Sequence, residues 1–104
     1  MSFDINNVLG DMLNAVKGAI DADWEDVKDY AGQILENEKE MLANLAEQRI
    51  RGEITDDELN SELEDEKDTV EAELKAVQVM TKAMAQKAAN AAIEVLTKAI
   101  KTAI

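Results

Sequence analysis

Nine residues near the middle of the chain, Arg51-Gly-Glu-Ile-Thr-Asp-Asp-Glu-Leu59, restrict its fold more than any other stretch. Gly52 suits the position just past a helix end, where the backbone turns left-handed and a Cβ is costly. Thr55 and Glu58 have the spacing of a capping box, and Asp56 and Asp57 put negative charge at the positive end of the helix that follows. Ile54 before the cap and Leu59 after it fit a hydrophobic staple. One helix therefore ends near Arg51 and another begins at Thr55. A turn this short predicts two antiparallel helices packed side by side.

The rest of the sequence agrees with an all-α class. Proline is absent, there are four glycines, and the residues that lose least on entering a helix predominate. No β-branched alternation bounded by turn residues suggests a strand. A chain of 104 residues supports a single domain. Its only aromatics are Phe3, Trp24 and Tyr30, so the core must be aliphatic and rich in alanine.

Apolar periodicity predicts three helices, over roughly 4–19, 22–51 and 55–102. Ile5, Val8, Leu9, Met12, Leu13, Val16 and Ile20 stripe the first. In "KGAIDADWED", Gly18 is a candidate stop and Asp21 or Asp23 a candidate new N-cap, so the first helix either kinks into the second or folds back. The third carries no stop signal. At full length it would measure on the order of 70 Å.

With the turn centred on Gly52, residues whose numbers sum to about 104 share a level across the hairpin. Leu45 then meets Leu59, Leu42 meets Leu63, Ile34 meets Val70 and Val27 meets Val77. Beyond about residue 82 the third helix overhangs, apolar over too wide an arc for one neighbour. Met84, Ala88, Ala92, Ile93, Val95, Leu96 and Ile100 would accordingly mediate self-association. The expected product is a coiled-coil-like four-helix bundle made by a homo-oligomer, most simply a two-fold dimer of hairpins.

The same register explains a repeat. "LENEKEML" at 35–42 nearly recurs as "LEDEKDTV" at 63–70, which sets Glu38 opposite Glu66 at positions where the seam expects apolar side chains. Two carboxylates at one level of such a seam cannot both ionise cheaply without a cation. Reciprocal salt bridges, Glu38 to Lys67 and Glu66 to Lys39, would satisfy them and fix register. Escape of the side chains to solvent is the remaining outcome.

The alternative is a metal site, with Glu38, Glu66 and Glu62 of two chains converging in the middle of a bundle. Ferritin-like carboxylate centres share that architecture, a Glu on each of two helices joined by Glu-x-x-His on the other two. Here the histidine positions hold Met41 and Thr69, so a hard divalent cation such as Ca²⁺, Mg²⁺ or Mn²⁺ would suit the all-oxygen set better than iron.

Charge and missing residue types narrow the function. Residues 1–74 hold 22 acidic against six basic side chains, and residues 75–104 one acidic against five basic, a partition of −16 and +4. An acidic surface repels phosphate backbones, which argues against nucleic acid. The asymmetry would suit antiparallel self-pairing, or simply lysines complementing a helix carboxyl end. From Asp56 to Glu73, ten of 18 residues are acidic, a solvated face or a dock for a basic partner.

Cysteine and histidine are both absent, which removes disulfides, thiolate and imidazole metal ligands, and the usual nucleophile–base pairs. The first residues lack the pattern of a secretory signal, and no apolar run approaches the roughly 20 residues of a membrane span. A cytoplasmic location is the expectation, with the N-terminal stripe used for packing rather than lipid binding. The functional expectation is a non-enzymatic, self-associating assembly or protein-interaction module, with the carboxylate metal bundle as its alternative.

Overall fold

The computed structural model describes residues 3–20, 24–77 and 80–104, and all regular structure among them is helical. Four helices are present: α1 (Ile5–Ala19), α2 (Trp24–Ile50), α3 (Asp56–Lys75) and α4 (Lys82–Ala103). Each packs on the helices before and after it, α4 returns to α1, and α2 touches α4 across the middle. The result is a closed bundle formed by one chain. Asp21 and Asp23, the candidate caps of α2, lie outside the described residues.

The central turn forms as its residues dictate. The Gly52 N–H donates to the Arg49 carbonyl at 3.1 Å and the Glu53 N–H to the Gln48 carbonyl at 2.8 Å. This is the paired arrangement that closes a helix over a left-handed residue, and Gly52 has φ 78°. The Thr55 N–H donates to Glu58 Oε1 at 2.9 Å while the Glu58 N–H donates to Thr55 Oγ1 at 3.1 Å. Ile54 packs against the core and Leu59 is buried. Arg49 Nε also spans the turn to Asp56 Oδ1 at 2.7 Å, an ion pair that spacing alone does not reveal. The guanidinium holds the Asp56 carboxyl below its usual value, by hydrogen bonding first and charge second.

The unbroken helix expected from 55 to 102 does not form. The bundle measures 40 × 24 × 19 Å, too short to contain it. Helix α3 ends at Lys75, where the Ala76 N–H donates to the Glu73 carbonyl at 3.2 Å and the Val77 N–H to the Leu74 carbonyl at 3.0 Å. These i→i−3 bonds tighten the last turn. Thr81 then caps α4, its side chain accepting from the Met84 N–H at 3.1 Å. Proline and glycine play no part in this break. Its cause is burial: α4 folds back to lay Ala85, Ala88, Ala89, Ala92, Ile93, Leu96 and Ile100 into the interior, more apolar surface removed from water than a projecting helix could manage.

That reversal removes the overhang. Ala88, Ala92, Leu96 and Ile100 are fully buried within the chain, Ile93 nearly so, and Met84 and Val95 pack on the core from its edge. The face expected to bind a second copy is covered by the chain's own helices, α1 above all. Four helices are assembled from one molecule, where sequence reasoning looked to a dimer of hairpins to supply them.

Candidate functional site

The candidate site lies between α2 and α3, the two helices that carry most of the acidic side chains. Val27, Ala31, Ile34, Leu42 and Leu45 of α2 and Leu59, Leu63, Val70 and Leu74 of α3 form the buried rows. Met41 lies outside this seam and is 51% exposed, because Leu42 takes the inward position. Glu66 interrupts the α3 row and is only 6% exposed, the single buried charged residue among those described.

Glu66 stands against Glu38, as the level rule anticipates, and Glu73 joins them. Burial is the first cause of a carboxyl pKa pushed up to about 7 at Glu66, followed by the charge of Glu38, a hydrogen bond with Glu38, and the charges of Glu73 and Glu62. Glu73 is shifted upward too, again by burial first and then by its hydrogen bond with Glu38. Glu66 and Glu73 are two turns apart on α3, about 10 Å along its axis, and Glu38 couples to both. Glu66 Oε2 is buried with no hydrogen-bond partner among the described residues. Burial and the neighbouring carboxylates favour the protonated form of Glu66, which is able to donate to Glu38.

Lysines do not neutralise the group. Lys67 Nζ reaches Glu64 at 2.6 Å and Lys39 Nζ reaches Glu36 at 3.9 Å, each one turn back on its own helix. The reciprocal bridges expected between Glu38 and Lys67 and between Glu66 and Lys39 are absent. The reason is helical geometry: side chains lean toward the N-terminus, so a lysine finds the acid three or four residues earlier before one on the next helix.

The metal reading fares no better. Glu62 is exposed, and among the described residues no group of three or more Asp, Glu, His or Cys side chains is arranged to hold a metal ion. With the bundle closed by one chain, Glu38 and Glu66 also occur once each at the level where the dimer would have brought four carboxylates.

One end of the same interface opens into a groove of about 640 Å³, formed by Asp26, Tyr30, Gln33 and Ile34 of α2 with Glu73, Ala76 and Val77 at the close of α3. Tyr30 is 61% exposed at its rim. Sequence reasoning did not single out this groove. The spacing of Asp26, Tyr30 and Gln33 puts them on one helical face, and that was the available signal.

No helix among the described residues is long and apolar enough to cross a membrane. No family model, curated protein or solved structure matches the chain.

Proposed function

We propose that this chain is a non-enzymatic protein-interaction module whose α2/α3 side engages a basic partner. The observation that carries the reading is the partition of charge over a closed bundle. Helices α2 and α3 hold 17 acidic against five basic side chains, a net of −12, whereas α1 and α4 hold two against five, a net of +3. The α2/α3 pair, arranged as an antiparallel hairpin, presents one side of strongly negative potential. Such a side attracts and orients a cationic surface from a distance and repels an anionic one. Absence of histidine and cysteine leaves no imidazole base or thiolate for the common covalent mechanisms. Self-association through the α4 face loses its support because that face is internal.

Isothermal titration with a lysine- and arginine-bearing peptide tests the reading. Binding at low ionic strength that weakens steeply as salt is added is expected, since exposed charges are screened beyond about 10 Å at 0.1 M salt. An acidic peptide of equal length should not bind. A basic peptide that fails to bind even at low salt would sink the proposal.

A further inference from the structure

The groove at the end of the α2/α3 interface has three properties that a diffuse acidic surface lacks. It is concave and lined on its apolar side by the buried Ile34 and Val77, with Ala76 exposed beside them. Two carboxyl groups, Asp26 and Glu73, line it from different helices, and neither has an ion-pair partner among the described residues. A largely exposed aromatic ring, Tyr30, stands at its rim.

From these features we infer that the groove receives an arginine side chain of the basic partner. The inference rests on the interaction reading above and names the recognised group. A guanidinium is planar, stacks on an aromatic face and forks its N–H donors to two acceptors at once; an ammonium is a compact point charge that does neither. Asp26 and Glu73 supply acceptors on opposite walls, Tyr30 the stacking face, and the apolar side accommodates the methylene stem. Gln33 commits its amide nitrogen to Asn37 Oδ1 at 2.9 Å and has its oxygen left to offer as a further acceptor.

The chain's own guanidinium groups cannot fill the groove. Its two arginines, Arg49 and Arg51, sit at the opposite end of α2, bonded to Asp56 and Glu47. Behind the groove, Glu73 and the buried Glu66 both face Glu38. A cation at Glu73 therefore adds positive charge to a group of three carboxyls that neither Lys39 nor Lys67 neutralises.

Titration calorimetry with two alanine-based peptides of equal positive charge, one bearing arginine and one lysine, tests the assignment. The arginine peptide should bind more tightly. Tyr30→Leu should weaken it roughly threefold to fivefold, with a smaller effect on the lysine peptide. Asp26→Asn combined with Glu73→Gln should weaken the arginine peptide by about tenfold or more. Asp57→Asn with Asp65→Asn removes the same charge elsewhere on α3 and should cost no more than a few-fold. Circular dichroism establishes that each variant is folded; Tyr30 is exposed enough for its replacement to leave the core intact.

Equal losses from the groove pair and the remote pair, or no effect of Tyr30→Leu, would overturn the groove while leaving the acidic interaction side standing. No binding of either peptide at low salt would remove both. If sedimentation shows self-association that Tyr30→Leu abolishes, the occupant is a second copy of the chain and the arginine assignment is wrong.

Discussion

The sharpest consequence of the carboxyl cluster concerns Glu66→Gln. Glutamine keeps the shape of a protonated glutamic acid and can donate to the Glu38 carboxylate, but it never ionises. The Glu66 pKa is raised from 4.5 to about 7 in the folded chain, so the native state holds this proton more tightly than the unfolded one. Its stabilising contribution is then complete below about pH 4.5, declines through the interval up to about 7, and is absent above it. At about 1.4 kcal/mol per pH unit the shift sets a ceiling of roughly 3 kcal/mol, which solvent screening and sharing with Glu38 reduce to about 1–2 kcal/mol, still sizeable beside the ~5–15 kcal/mol that holds a typical domain together. Urea unfolding followed by circular dichroism at pH 4.5, 6, 7 and 8 should show the variant close to wild type at the lowest pH and roughly 1–2 kcal/mol more stable at pH 8. The comparison at each pH cancels the general repulsion of a chain with net charge −12. A difference between variant and wild type that stays constant across this range would show that the Glu66 carboxyl is solvated, and the account of a shared proton would fall.

Other perturbations follow from single contacts. Gly52→Ala forces a Cβ onto φ 78° and should cost about 1 kcal/mol, read from the urea midpoint; an unchanged midpoint would mean that the turn relaxes freely. Thr81→Ala removes the acceptor that caps α4 and should cost ~1 kcal/mol, with Thr81→Ser restoring most of it. Leu42→Ala, at a fully buried site between the helices, should cost about 2–5 kcal/mol in the same assay. Excess chelator should leave the thermal transition unmoved; a drop in the transition temperature would reinstate a metal site at Glu38 and Glu66.

What could be foreseen depended on whether the determinant was local. The turn at 51–55 was legible because Gly52, Thr55 and Glu58 each satisfy a backbone requirement of their own immediate surroundings. Once the turn was fixed, helical rise alone brought Glu38 level with Glu66. The fate of their charges was not legible. A lysine beside a glutamate in sequence points about 100° away from it around the helix, and same-helix acids capture Lys39 and Lys67 first.

The break between α3 and α4 had a faint local trace. Val77, Val79 and Thr81 are β-branched residues clustered in a chain otherwise rich in alanine and glutamate, and they lower helix propensity only slightly. The decision belonged to long-range burial, and that is why the alanine-rich face of α4 looked like an interface between molecules until the chain was seen to cover it. The groove at Tyr30 depended on the same reversal, since it lies where α3 ends.

Packing of α4 on α1 has a kinetic corollary. The groove that joins Phe3, Asp4 and Asn7 to Lys98, Thr102 and Ala103 brings together stretches far apart in sequence, so this contact forms only after all the residues between Asn7 and Lys98 have been looped. The entropic cost of closing a loop rises with its length, whereas α2 and α3 meet across a turn of a few residues. Helices α2 and α3 should therefore associate early, and the seam between first and last helices should close late, in the transition state or after it. Substitutions at Ala92 or Leu96 would then act mainly by accelerating unfolding, and those at Leu45 or Leu63 by slowing folding. The half of the molecule that carries the acidic side would be the half that organises the rest.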